Sequence, residues 1–173
     1  STLTILQNRL KAHGKHPEIH VSKEYGNLPQ VECYAGQLNQ VFMNIISNAI
    51  DALDEQNEGR TAEEIVANPS FIRIRTELLS DRFVVIRIAD NGPGMTEQVK
   101  PRIFDPFFTT KPVGAGTGLG LSISYQIVVE KHGGQLHCLS ELSAGTEFII
   151  QIPLGQNVPE TSSNDELWML NYK

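Results

Sequence analysis

The chain has 173 residues, 40% of them hydrophobic, and its formal net charge at pH 7 is −6. This length and composition predict one globular domain with a sizeable core, and the negative charge argues against a general nucleic-acid-binding surface. No apolar stretch approaches the roughly 20 residues that a membrane-spanning helix needs. The two cysteines, Cys33 and Cys138, lie in apolar, strand-like contexts, which fits reduced thiols of a cytoplasmic protein.

Hydrophobic periodicity divides the chain into helices and strands that are segregated instead of strictly alternating. Helical patterns cover 1–12, 36–55 and 119–134, with a short helical turn at 62–67 inside a polar insertion. The segment at 96–104 begins with a plausible Thr96 cap and stops near Pro101. Strand-like alternation covers 19–25, 71–79, 82–90, 134–142 and 145–153. This order predicts an α+β fold with a mainly antiparallel sheet. The tail at 154–173 ends in apolar residues, and the pattern leaves open whether that end docks on the domain.

The helix predicted over 36–55 has an unusual polar face. Its polar residues recur in steps of three and four at Gln37, Gln40, Asn44, Asn48, Asp51 and Glu55. Solvated helix faces favour Lys and Glu, whereas Asn is a poor helix former. Asn44 and Asn48, one turn apart, therefore indicate the wall of a cleft, and amide oxygens are suitable ligands for Mg²⁺. An ordinary solvated face is the alternative that the spacing leaves open.

The stretch IADNGPGM, residues 88–95, places Asp90 at the end of a predicted strand. Its composition is also strong turn chemistry, which is the simpler interpretation. A carboxylate at the end of a buried strand is costly unless it has a hydrogen-bond partner. Such a carboxylate can accept a hydrogen bond from the exocyclic amine of adenine, whereas guanine presents a carbonyl oxygen there. Asp90 is therefore a candidate base-recognition residue.

Four glycines lie within seven residues in GAGTGLGLSI, residues 114–123. The spacing does not match the dinucleotide fingerprint G-x-G-x-x-G, and the Walker pattern G-x-x-x-x-G-K-[ST] does not occur in the chain. The glycines lead directly into the helix predicted over 119–134, whose free N–H groups and dipole favour an anion. The pattern thus predicts a flexible phosphate-binding loop of a different type.

Four blocks, in order, carry a resemblance to a known family: NQVFMNIISNAIDAL, DNGPGM, IFDPFFTTK and GAGTGLGLSI. They resemble the N, first glycine, F and second glycine boxes of bacterial sensor histidine kinases, and SAGTEFIIQIP is similar to the closing Gly-Thr segment. The resemblance covers about residues 35–153. It implies the Bergerat ATP-binding fold, a two-layer α/β sandwich with a mixed, mainly antiparallel sheet and helices on one face. DNA gyrase, mismatch-repair ATPases and a heat-shock chaperone family share this fold.

The resemblance implies a role for each matching residue. Asn48 and Asn44 would bind Mg²⁺ and the phosphates of ATP, and Asp90 would bind the adenine amine. Gly92, Gly94 and Thr146 would shape the base pocket. The glycine loop would hold the nucleotide through Gly116, Thr117, Gly118, Leu119 and Gly120. Residues 104–117 would form a mobile ATP lid with an apolar clasp of Phe104, Phe107 and Phe108, and Lys111 is a candidate catalytic contact to phosphate.

The residue at position 44 separates two classes of function within this superfamily. Hydrolysing members carry a Glu there as a base for water, whereas the amide of Asn44 cannot take a proton. We therefore expect a protein histidine kinase, with an ATP-driven switch ATPase or an anti-sigma-type serine kinase as the alternatives. Asp51 departs from the family, because many of these kinases have a basic residue at that position.

The His-Glu or His-Asp phosphoacceptor block of the family is absent from the chain. We therefore expect residues 1–18 to be a linker from a missing dimerisation domain, 19–153 the ATP-binding catalytic domain and 154–173 a C-terminal tail. The expected partners are ATP, the protein's own dimerisation and phosphoacceptor domain and, indirectly, a response regulator. We expect no nucleic acid and no direct membrane contact, and a cytoplasmic location, although the parent protein could have a membrane anchor.

Overall fold

The computed structural model describes residues 2–155 and the backbone of 168–170. The helices are α1 (Thr2–Leu10), α2 (Ala35–Glu58), α3 (Ala62–Ala67) and α4 (Gly120–Tyr125), and α4 runs directly into a π-helical stretch, Gln126–Lys131. The strands are β1 (His20–Tyr25), β2 (Val31–Cys33), β3 (Phe71–Leu79), β4 (Phe83–Asp90), β5 (Gln135–Glu141), β6 (Gly145–Pro153) and β7 (Trp168–Leu170). The predicted α+β class is confirmed.

Five strands form the main sheet in the order β1-β3-β4-β6-β5. The β1–β3 pair is parallel and the other three pairs are antiparallel. The sheet is therefore mixed and mainly antiparallel, as predicted. One face of the sheet is buried, because alternate residues such as Ile72, Ile74 and Ile150 lie in the core. The opposite face carries ion pairs, with Arg87 between Glu77 and Glu147. Helices therefore cover one face of the sheet.

The long helix α2 packs on the buried face of the sheet. Its core residues recur at helical spacing and include Leu38, Val41, Ile45, Ala49 and Leu53. Leu6 and Leu10 attach α1 to the same core. This packing fixes the polar stripe of α2 relative to the ends of the strands, which is what positions the site.

The short helix α3 is the helical turn predicted at 62–67, and it is fully capped. The side chain of Thr61 accepts from the backbone N–H of Glu64, and the Glu64 carboxylate accepts from the N–H of Thr61. None of its residues is buried. Local capping chemistry therefore accounts for a helix that contributes nothing to the core.

The segment that begins with the Thr96 cap and stops near Pro101 is not an α-helix. Thr96 Oγ1 does accept from the N–H of Val99 at 3.3 Å, but only a 3₁₀ turn, Lys100–Arg102, follows. Pro101 sits inside this turn, lacks an N–H donor and prevents an α-helix from developing. The segment is therefore a compact turn that leads into the lid.

A small second sheet was not predicted. Its strands β2 and β7 pair antiparallel, with Val31 opposite Leu170. Part of the tail therefore lies against the domain. The sequence left open whether the end of the tail docks there, and residues 168–170 do. Residues 156–167 and 171–173 of the tail lie outside the described residues.

Candidate nucleotide-binding site

Asp90 lies at the end of β4, where the strand leaves the sheet. Its Oδ1 accepts from the backbone N–H of Gly92 at 2.8 Å. Burial raises the pKa of the Asp90 carboxyl to about 6, although backbone hydrogen bonds from Gly92 and Thr146 act in the opposite direction. The side chain is thus an ionisable acceptor in a mostly dry setting, which suits a site that recognises a hydrogen-bond donor.

A buried serine connects the chain segments around Asp90. Ser140 on β5 accepts from the N–H of Met95 at 2.8 Å, and its Oγ lies 3.1 Å from the carbonyl oxygen of Gly145. It also lies 2.8 Å from Oγ1 of Thr146, the residue paired with Asp90 across β4 and β6. Ser140 therefore ties the loop after β4 to the start of β6.

Gly94 is required by the backbone. Its φ is +72°, and a Cβ at this position would lie 1.9 Å from the carbonyl oxygen of Glu141. Gly92 is less constrained, because its added Cβ would meet the side chain of Asp90 at 2.8 Å. The two glycines thus allow the loop after β4 to pass close to the end of β5.

Asn44 connects α2 to the first turn of α4. Its Nδ2 donates to the carbonyl oxygen of Gly120 at 3.0 Å and to Oγ of Ser124 at 3.2 Å. The Ser124 hydroxyl, which is fully buried, also donates to the Gly120 carbonyl oxygen at 2.8 Å. Asn48 lies one turn further along the same helix face and is partly buried. The glycine-rich loop and the polar stripe of α2 are therefore neighbours.

A backbone hydrogen bond joins the beginning of the lid to Gly118 at its end. The N–H of Phe107 donates to the Gly118 carbonyl oxygen at 2.8 Å. Gly118 has a φ of +69°, and an added Cβ would lie 2.4 Å from the backbone of Phe107. By contrast, a Cβ on Gly120 would meet Asn44 at 3.6 Å, an ordinary contact. The backbone therefore requires glycine at 118, whereas a Cβ at 120 has room among the described residues.

The expected apolar clasp is only partly present. Phe104 packs on Tyr125 and Phe148, with ring centroids 5.4 and 6.4 Å apart. Phe108 is partly buried under the guanidinium group of Arg102, 4.5 Å from its ring centre. Phe107 is 74% exposed and has a φ of +65°, so it is not part of the clasp.

Lys111 forms an ion pair with α2. Its Nζ donates to Oδ2 of Asp51, whose Oδ1 accepts from Nη2 of Arg9 at 2.6 Å. The candidate phosphate contact of the lid thus has a protein carboxylate as its partner in this structure. Asp51, the residue that departs from the expected family pattern, lies between α1 and the lid.

Comparison with known proteins matches most of the chain to one family. The family described as histidine kinase-, DNA gyrase B- and HSP90-like ATPase matches residues 33–156. The chain belongs to this family. Members of this ATPase family bind ATP, so ATP binding is the function of the domain.

The relatives of the chain within the ATPase family are sensor kinases. Sporulation kinase E of Bacillus subtilis (strain 168) is 39% identical over 140 residues, which are 81% of this chain and 17% of that protein. The catalytic domain of histidine kinase ThkA is 29% identical with a TM-score of 0.66, over 88% of this chain and 89% of that one. ThkA in complex with the response regulator protein TrrA gives 25% identity and a TM-score of 0.65, over 89% of this chain and 38% of that one.

These comparisons confirm the prediction of a histidine kinase catalytic domain of the ATPase family. The chain spans 39% or less of the length of the first curated relatives that it matches. The described part of the chain has no helix that is both long and apolar enough to cross a membrane.

The structure brings most of the predicted ATPase site together. Asp90, Gly92, Gly94 and Thr146 meet at one end, and Asn44 meets Gly120 at the other. The individual roles of these residues in binding ATP stay predictions, as do those of Asn48, Gly116, Thr117, Gly118, Leu119 and Lys111.

Sequence reasoning missed Ser124 and Ser140, two buried serines whose hydroxyls join the elements of the site. A polar residue at a position that the helical or strand period assigns to the core was the available signal.

A further residue that joins the elements of the site is His132, the C-terminal cap of the π-helical stretch. The ring is 2% exposed, Nε2 accepts from the N–H of Tyr34 at 3.0 Å, and Nδ1 donates to the Ile127 carbonyl oxygen at 2.8 Å. Burial lowers the pKa of His132, and the neighbouring charge of Lys131 acts in the same direction, against the hydrogen bond to Ile127. His132 therefore joins the end of the π-helical stretch to the start of α2.

Proposed function

We propose that this domain binds Mg·ATP, with adenine on Asp90, and donates the γ-phosphate to a histidine of a dimerisation and phosphoacceptor domain outside this chain. The parent protein would act in two-component signal transduction, with a response regulator as the later phosphate acceptor. The complex of ThkA with TrrA supports that partner class. In this proposal residues 1–18 lead from the dimerisation domain and 19–153 form the catalytic domain.

One observation carries the proposal: the carboxylate of Asp90 is partly buried at a strand end, where its hydrogen-bond partners are backbone groups of Gly92 and Thr146. An ionised carboxylate has about four acceptor positions, so these two backbone bonds leave room for a ligand donor. The exocyclic amine of adenine supplies such a donor, whereas the carbonyl oxygen of guanine would be repelled. Burial makes an unmatched ligand costly, which supports selectivity for ATP over GTP.

The amides of α2 fit a magnesium ion. Both donor contacts of the Asn44 amide go to α4, so the carbonyl oxygen is the atom that remains for a ligand, and oxygen is the ligand that Mg²⁺ prefers. Asn48 would present the same group one turn later. When bound, the ion would neutralise charge on the phosphates.

The residues around the phosphates favour transfer over hydrolysis. Asn44 has no proton-accepting group, and its amide is held by Gly120 and Ser124. Catalysis would then consist of orienting ATP with the loop amides of 116–120 and balancing its charge, because phosphoryl transfer asks little covalent chemistry of the protein.

The first test is a titration of the domain with ATP and GTP, each with and without Mg²⁺. We expect ATP to bind much more tightly than GTP and Mg²⁺ to strengthen ATP binding. Equal affinities for the two nucleotides would reject base recognition by Asp90.

The second test supplies the parent kinase's dimerisation domain together with γ-labelled ATP. We expect an acid-labile label on that domain, and no label with Asn48→Ala. An acid-stable label would favour the serine kinase. Steady phosphate release by the chain alone, at about 1 per second or faster, would favour the switch ATPase.

A further inference from the structure

Lys111 is the one basic residue between Arg102 and Lys131, so it is the single cation that the lid sequence supplies. Its Nζ donates to Asp51, and its stem crosses Gly116, where an added Cβ would lie 2.9 Å from Lys111 Cδ. Asp51 lies about one helical turn after Asn48 on α2. The positive charge of the lid is therefore paired with a carboxylate at the edge of the cleft.

The same carboxylate also contacts α1. Nη2 of Arg9 donates to Asp51 Oδ1 at 2.6 Å and lies 3.6 Å from Asp54 Oδ2. Burial alone would raise the pKa of Asp51, but the hydrogen bonds and charges of Lys111 and Arg9 outweigh it and lower that pKa. Asp51 therefore stays ionised at neutral pH, and its charge is divided between the lid and α1.

We propose that Asp51 is a positioning residue: it holds Lys111 on α2 until Lys111 exchanges the carboxylate for a phosphate of ATP, and Arg9 weakens that hold by competing for Asp51. This inference rests on the proposed function, because it places ATP phosphates beside the loop at 116–120. It follows that a shift of α1 that withdraws Arg9 tightens the pair between Asp51 and Lys111 and lowers the affinity for ATP.

The expected effects are modest, because the three side chains are between 31% and 39% exposed. Partly exposed ion pairs contribute less than about 1 kcal/mol and weaken as salt is added. Asp51→Asn keeps the side-chain shape, releases Lys111 and should raise the affinity for ATP about two- to fivefold. Arg9→Gln should lower it by a similar factor, and should have no effect when Asp51→Asn is also present.

Two variants serve as matched controls for the change of charge. Lys15→Gln removes an exposed cation near the end of α1, and Glu55→Gln removes an exposed carboxylate from α2. Neither should change the affinity for ATP. Equal effects of the controls and the test variants would show that the overall field, not the Arg9–Asp51–Lys111 chain, controls binding, and would overturn the proposal.

Direct repulsion between Asp51 and the phosphates is the competing explanation, and Lys111→Met separates the two. If Asp51 acts through Lys111, Asp51→Asn should not change the affinity for ATP in the Lys111→Met background. An equal gain in both backgrounds would assign the effect to direct repulsion and reject the proposal. The affinity for adenosine, which has no phosphate, should stay unchanged in all variants, and a gain there would also reject it.

Hydrogen exchange of the nucleotide-free chain gives a readout that does not require ATP binding. Asp51→Asn and Lys111→Met should each speed exchange of the lid amides in 109–117, and Arg9→Gln should slow it. If the wild-type chain fails to bind ATP, the proposed function fails while this exchange pattern can still hold. Normal ATP binding without the exchange pattern would overturn the present inference alone.

Discussion

At the base end of the cleft, Asp90, Thr146 and Ser140 belong to three adjacent strands, and their hydrogen bonds are buried or partly buried. At the phosphate end, Lys111 and Gly118 belong to a loop that is held by a backbone hydrogen bond to Phe107 and an ion pair with Asp51. The base end can therefore be formed before the nucleotide arrives. The phosphate end has contacts that a phosphate can replace.

This difference shows how one site can combine selectivity for a nucleotide base with a lid that opens and closes. Selectivity needs buried groups whose positions do not change, because an unmatched donor or acceptor is then costly. Lid closure needs weak, exposed contacts that can be exchanged. Substitutions at the base end should therefore change the affinity for ATP strongly. Substitutions at the phosphate end should show whether a residue fixes the position of the lid or contacts ATP.

The largest effect is expected for Asp90→Asn. The backbone donor of Gly92 needs an oxygen, so the amide nitrogen would face the adenine amine, and the affinity for ATP should fall on the order of 100-fold. The melting temperature without nucleotide should stay within a few degrees of the wild-type value. The loss of one hydrogen-bond acceptor destabilises the fold, and the removal of a partly buried charge offsets that loss. Asp81→Asn, in the exposed turn between β3 and β4, is the control. Unchanged ATP affinity in Asp90→Asn would place adenine elsewhere.

Gly118→Ala and Gly120→Ala should separate the two roles of the glycine loop. Alanine at 118 is strained at φ +69° and collides with Phe107, so we expect more than a tenfold loss of ATP affinity and a loss of about 1–3 kcal/mol in stability. Alanine at 120 has room and is the better helix former, so it should leave stability unchanged or higher and weaken ATP alone. Calorimetric binding and thermal melts check both, and full ATP affinity in Gly120→Ala would show that phosphate does not approach that residue.

Acidification should weaken the base end specifically. Because burial raises the pKa of Asp90 to about 6, the carboxylate loses its role as acceptor as the pH falls through that value. Affinity should drop about tenfold between pH 7 and pH 5. Adenosine should be titrated beside ATP, since the phosphates of ATP also take up protons in this range. A flat pH profile for adenosine would contradict the role of Asp90.

The smallest effect is expected for Ser140→Ala compared with Ser122→Ala. Loss of the Ser140 hydroxyl leaves the N–H of Met95 without this partner and should cost about 1–3 kcal/mol in stability, with a few-fold loss of ATP affinity. Ser122 donates to the Leu119 carbonyl oxygen, which also accepts from Ile123, so its loss should be nearly neutral. Equal melting temperatures for the two variants would show that the Ser140 network does not stabilise the base pocket.

The sequence by itself determined the regular elements and the candidate site blocks, because these depend on local patterns. Helical spacing defined α2, alternation defined β3 to β6, and the short helical turn predicted at 62–67 is α3. The order of the glycine and asparagine motifs was enough to predict the family. At 96–104 the helix-like pattern gave only a 3₁₀ turn around Pro101, whose rigid ring lacks an N–H donor.

Only the tertiary structure decided which side chains are partners. Arg9 and Asp51 are 42 residues apart, Asp51 and Lys111 are 60 apart, and Tyr34 and His132 are 98 apart. Local periodicity assigns a residue to a face of its own element, but the contact itself depends on how two elements pack and on which charges the packing brings within hydrogen-bond distance. For that reason Lys111 was predicted to face phosphate from its position in the lid, and its pairing with Asp51 emerged only when α1, α2 and the lid were placed on a common core.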